Sequence, residues 1–76
     1  MNMNKEIYVV CYYPVGIPEN NPMRCTNTFA GACISVNDFM QENEEEWQDT
    51  DHNWDNEWHI FTNKGTYVIT RMPLYP

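Results

Sequence analysis

Five oxygen-bearing side chains occupy alternate positions late in the chain: Asp49, Asp51, Asn53, Asp55 and Glu57. Hard divalent cations such as calcium are held by clustered carboxylate and amide oxygens, so cation binding is the first chemistry this spacing raises. His52 and His59 add nitrogen donors, and Cys11, Cys25 and Cys33 add sulfur. No two of those five stand at the short spacing that pre-organises a zinc site, and no Cys-x-x-Cys pair occurs. A Cys/His pair for nucleophilic catalysis is not ruled out by composition. It is accompanied by no nucleophile elbow, glycine-rich phosphate loop or second helix end that would hold an oxyanion or a phosphate. The expectation is a non-enzymatic protein with no catalytic residue, no metal and no cofactor.

The alternating stretch resembles the start of an EF-hand calcium loop, with ligands at the first, third, fifth, seventh and ninth positions. The pattern then breaks. Trp54 stands at the sixth position, where the sharp turn needs glycine, and Ile60 at the twelfth, where a bidentate glutamate closes the shell. The strand-like "WHIFT" also takes the place of the exiting helix. A divalent-cation module using residues 49–57 is therefore the alternative to a plain acidic surface.

The charge is concentrated. The chain of 76 residues has a formal net charge of −7, and nine of its eleven acids lie in residues 25–63, which contain no Lys or Arg. Nucleic acid and anionic lipid are polyanions drawn to Lys and Arg, so direct binding to either is not expected, whereas a cationic partner suits the patch. A surface serving solubility alone would intersperse both signs. Three cysteines are an odd set and no disulfide framework, which points to reduced thiols in a cytoplasm. The apolar run "IYVVCYY" is too short to span a membrane and poor as a signal peptide.

These residues need a scaffold, and 76 residues are expected to make one small domain over residues 1–76. Residues 6–13, "EIYVVCYY", are β-branched or aromatic on both alternating faces and read as a central strand. Three prolines and a glycine in "PVGIPENNP" make a loop, and "RCTNTFAGAC" is ambiguous between a second strand and a close backbone approach. Ser35 with Asp38 three residues on has the form of a capping box, predicting a helix from Val36 to about Trp47. Its packing stripe would hold Val36, Phe39, Met40, Asn43 and Trp47, with Asp38, Gln41, Glu42 and Glu45 on the opposite face and Glu44 and Glu46 flanking. Residues 48–57 lack helical period and read as a loop. "WHIFT" and "TYVITRM" flank "NKG" as a terminal hairpin, with Gly65 in a left-handed turn position and Pro73 ending the strand. The predicted fold is α+β: a small antiparallel sheet of three or four strands covered by one amphipathic helix, with a C-terminal β-hairpin.

On this scaffold Asp38, Glu42, Glu45 and Asp49 would form a row of carboxylates at helical spacing, extended by Asp51, Asp55 and Glu57 and joined by Glu46. Side chains three and four apart on a helix stand about 5–6 Å apart, close to the phosphate spacing along a nucleic-acid strand. Trp54, within the polar stretch, would be the apolar anchor. In size, charge and one-sided acidity the chain resembles the small acidic inhibitors made by bacteriophages, including DNA mimics and anti-CRISPR proteins. That resemblance is compositional and specifies no target; the acidic row itself gives the expectation of an inhibitor in a host cytoplasm that occupies a basic, nucleic-acid-binding site on a partner protein through Asp38, Glu42, Glu45, Glu46, Asp49, Asp51, Trp54, Asp55 and Glu57. A further alternative is an accessory subunit that self-associates as a homodimer through exposed Tyr8, Tyr12, Tyr67 and Tyr75.

Overall fold

The computed structural model describes residues 5–16, 21–54 and 56–74, and of residues 5, 52–54 and 74 the backbone alone. Two ten-residue strands form its spine: β1 (Lys5–Pro14) and β5 (Gly65–Leu74) pair antiparallel from Lys5↔Leu74 to Pro14↔Gly65. β2 (Asn21–Thr26) lies outside β1, β4 (Glu57–Thr62) pairs with the other side of β5, and β3 (Trp47–Trp54) pairs with β4. The sheet order is β2-β1-β5-β4-β3, all antiparallel. Between β2 and β3 the chain forms one helix, α1 (Phe29–Glu42), packed over β1 and β2. The α+β fold and terminal hairpin match the sequence; the sheet has five strands instead of three or four.

The residue alternation explains which face is covered. Register aligns Val10 with Ile69 and Tyr12 with Tyr67, and β4 sets Trp58 and Ile60 beside the same two residues of β5. Val10, Tyr67 and Ile69 are fully buried there beneath Ala32 and Val36 of α1, with Tyr8, Phe39 and Met40 packed around them. At about 1.5–3 kcal/mol for each fully buried large apolar side chain, this layer is the main source of stability. The core positions of β1 and β5 are β-branched or aromatic, as a pleated half-buried surface favours.

α1 corrects the predicted helix at both ends. Its N-cap is Thr28, whose hydroxyl accepts from the Gly31 backbone N–H at 3.0 Å, so the helix starts seven residues before Val36. Ser35 is a buried mid-helix residue whose hydroxyl donates back to the Gly31 carbonyl at 3.0 Å. At the other end the Glu44 N–H donates to Gln41 O at 3.2 Å and the Glu45 N–H to Met40 O at 2.8 Å, a Schellman closure with Glu44 at φ 55. The helix therefore stops at Glu42, where a run of glutamates meets the negative end of the helix dipole and opposes further propagation. Trp47, expected in the core, begins β3 and is 60% exposed, its indole N–H donating to Thr50 Oγ1 at 2.9 Å.

Three further corrections concern the sheet. Residues 47–54, expected as helix end and loop, form an edge strand with register shifts on either side of the Asp49–Asp51 pairing. The hairpin connection is Asn63–Lys64 alone. Gly65 is already the first residue of β5, and its backbone is not left-handed. It is glycine because of crowding: a Cβ would stand 2.7 Å from both the Tyr12 hydroxyl and the Tyr13 carbonyl oxygen. β5 also runs through Pro73, tolerated because the β4–β5 ladder ends at Glu57↔Thr70 with one further bond from Arg71 N–H to Asn56 O, so Pro73 interrupts no described bond on that side. Among the described residues no helix is long and apolar enough to cross a membrane.

Candidate functional site

The acids that were expected to form one row are divided among three environments. Glu45 is buried at 9% exposure and accepts from Thr62 Oγ1 at 2.6 Å, the Tyr67 hydroxyl at 2.5 Å, and Tyr12 and Asn43 at 3.2 Å each. Burial works to raise its carboxyl pKa, and the bonds from Thr62, Tyr67, Asn43 and Tyr12 outweigh it, leaving the group below its ordinary value. Tyr67 is driven the other way, well above its ordinary range, first by burial and then by donating to Glu45. Glu45 thus ties the α1–β3 connection to β1, β4 and β5, and it does not belong to a partner-facing row.

Asp38 and Glu42 are exposed on α1, Glu44 and Glu46 at its closure, and Asp49 on β3. None of these five has an ion pair with a described cation. The three cations with described side chains are engaged elsewhere. Arg24 donates to Ser35 Oγ at 3.4 Å and lies 5.3 Å over the Phe39 ring; Lys64 Nζ donates to the Asn43 carbonyl at 2.5 Å; Arg71 pairs with Glu6 at 3.3 Å and bonds Asn56 at 3.2 Å. The acidic rim therefore runs along the outer side of α1, around its end and onto β3, without counterions among the described residues. Asp55 and the side chain of Trp54 lie outside the described residues.

The third environment is the sheet face turned away from α1. Three ladder rows cross it: Asp49, Phe61, Thr66 and Tyr13; Asp51, His59, Val68 and Cys11; Glu57, Thr70 and Val9. Tyr13, Phe61, Thr66, Val68, Thr70, His59 and Glu57 line a shallow hollow of about 330 Å³. Glu57 Oε1 and His59 Nε2 are 3.0 Å apart at its β4 side. Of these lining residues only Glu57 stood in the expected site. The period-two patterns of 9–13, 57–61 and 66–70 do place the others on one face of each strand, but joining them requires the β4–β5 and β1–β5 registers.

This geometry bears on the metal and catalytic readings. Asp49 and Asp51 sit on an extended strand, where alternate side chains stand roughly 6–7 Å apart along a line instead of wrapping one centre as a calcium loop does. Among the described residues no group of three or more His, Cys, Asp or Glu is placed to hold a metal ion. Cys11 and His59 share a row but are separated by Val68 of β5, a distance of about 10 Å between backbones at two strand spacings. Burial, and then Cys25, push the half-buried Cys11 thiol upward, which disfavours its thiolate. All three cysteines are free. The tyrosines also differ from the expected pairing surface: Tyr67 is fully buried, Tyr8 and Tyr12 pack against the core, and Tyr75 lies outside the described residues.

No family model matches this chain, and neither the curated proteins nor the solved structures contain a match.

Proposed function

We propose that the chain is a non-enzymatic acidic binding protein that occupies a basic, nucleic-acid-binding site on a partner protein, an inhibitor of the DNA-mimic type working in a cytoplasm. One observation carries this reading: Asp38, Glu42, Glu44, Glu46 and Asp49 are exposed and have no described cationic partner, while Arg24, Lys64 and Arg71 are committed elsewhere. Clustered like charge costs stability by mutual repulsion. A basic partner would supply the missing counterions, and the encounter would be steered by long-range attraction. Mimicry of this kind rests on charge distributed around the end of α1, because the helix itself contributes only the Asp38–Glu42 step of the row.

The test is capture of bacterial proteins by the immobilised chain, paired with a competition assay. A captured protein should lose its nucleic acid when the chain is added. The triple reversal Asp38→Lys, Glu42→Lys, Glu46→Lys, at exposed positions, should abolish both capture and competition. Capture indifferent to the triple reversal and to moderate salt would sink the proposal.

A further inference from the structure

We propose that the hollow on the open sheet face receives an arginine side chain of the basic partner, with the guanidinium on Glu57 and the stem against Phe61 and Val68. This rests on the reading of the chain as a binder of basic surfaces, and it locates a specific recognition pocket away from α1. The hollow combines what such a side chain needs. Val68, 8% exposed, lies between Thr66 and Thr70 on β5, and the rings of Tyr13 and Phe61 stand in the row that crosses Thr66. At the other end Glu57, with its side chain 41% exposed, offers a carboxylate whose Oε1 meets His59, leaving Oε2 for a second donor. Asp49 and Asp51 stand beside Phe61 and His59 in the same rows, at the β3 edge.

Charge complementarity selects the occupant. Register turns Arg24 and Arg71 toward the α1 side, opposite Val10 and Tyr8, and Lys64 is bound to the Asn43 carbonyl, so no described Lys or Arg side chain faces the hollow. A second copy of the chain, at a net charge of −7, would set Glu57, Asp49 and Asp51 against their like. A phosphate-bearing ligand would be repelled in the same way. A cation with an apolar stem satisfies both the floor and the rim. Arginine fits better than lysine, because its planar guanidinium bonds a carboxylate through a fork of donors and stacks on aromatic faces.

The experiment titrates the full isotope-labelled chain with an acetylated, amidated Gly-Arg-Gly-Arg-Gly peptide and with its lysine counterpart, in about 20 mM NaCl to limit screening. The arginine peptide should shift the amide signals of Phe61, Val68 and Thr70 and bind about threefold or more tightly than the lysine peptide, given its bidentate geometry. Glu57→Gln should weaken it about fivefold, and Phe61→Leu, which keeps apolar volume but removes the ring, about threefold. Asp38→Asn with Glu42→Gln should change it by less than about twofold. Shifts confined to α1 and its closure would overturn the pocket while leaving the basic-partner reading intact. Equal binding of both peptides, unaffected by Glu57→Gln, would also overturn it. Concentration-dependent shifts on the open face without peptide would assign that face to a second copy. No response to either peptide would remove both the pocket and the reading beneath it.

Discussion

Glu45 has to be charged and has to be bonded, because two tyrosines, a threonine and an asparagine all aim donors at one nearly buried carboxylate. Glu45→Gln leaves one acceptor oxygen and turns amide hydrogens toward hydroxyl groups, so it should cost about 1.5–3 kcal/mol at neutral pH, the scale of bonds to a charged group. The dependence on pH follows from the lowered carboxyl and from the raised Tyr67 and Tyr12, of which Tyr67 is moved further. The folded carboxyl lies below its ordinary value of 4.5, so the stability it contributes is complete above that value and is lost as pH falls through the lowered one. Tyr67 lies above its ordinary 10.0, so its contribution is complete below 10.0 and fades as pH rises beyond it. Urea denaturation of wild type and Glu45→Gln should show a difference that is flat between about pH 5 and 9 and narrows on acidification. A difference that widens in acid would mean that the carboxylate is not stabilised by these bonds.

At the level of elements, the closure of α1 stores a correctable strain. Glu44 adopts φ 55, a left-handed conformation that costs a residue with a Cβ roughly 1–2 kcal/mol and glycine almost nothing. Glu44→Gly should therefore raise stability by about 1 kcal/mol, or the thermal midpoint by about 4–8 °C. Glu44→Gln, which removes the charge and keeps the strain, separates the two effects: if it matches the glycine variant, repulsion and not backbone geometry is the cost. The same closure explains where the sequence was legible. β1 and the β4–β5 hairpin were readable because alternating β-branched and aromatic residues carry their own strand signal. The helix was readable as an element, but its limits were set by Thr28 and Glu44, whereas Ser35 imitated a cap from inside the helix. Extending the helical period past Glu42 inverts the inside–outside phase of residues 45 and 47, which is why the sequence puts Trp47 inside and Glu45 outside. β3 was not legible, since an edge strand rich in Asp, Asn and Gln owes its strand conformation to the neighbouring backbone of β4, and such polar residues also discourage further edge pairing.

For the molecule as a whole, the same ions act on two quantities in opposite directions. Within the chain, Asp38, Glu42, Glu44, Glu46 and Asp49 repel one another without described counterions, so screening relieves the folded state. Between the chain and a basic partner, screening removes the attraction that steers association. Raising NaCl from about 0.05 to 0.5 M shortens the screening length from roughly 14 to 4 Å, and pairs of surface charges about 10 Å apart each contribute a few tenths of a kcal/mol in water. The chain alone should gain on the order of 1 kcal/mol in stability over that range, while binding weakens by about tenfold or more. Chloride is the appropriate anion, because sulfate strengthens folding by exclusion from the surface and would mimic the effect. Neutralising Asp38, Glu42 and Glu46 to their amides should raise stability at low salt, flatten its salt dependence and weaken binding together. Stability that falls with NaCl, or a triple amide variant that keeps the full salt response, would show that the rim's charges are compensated within the fold, and the case for an external basic partner would fail with it.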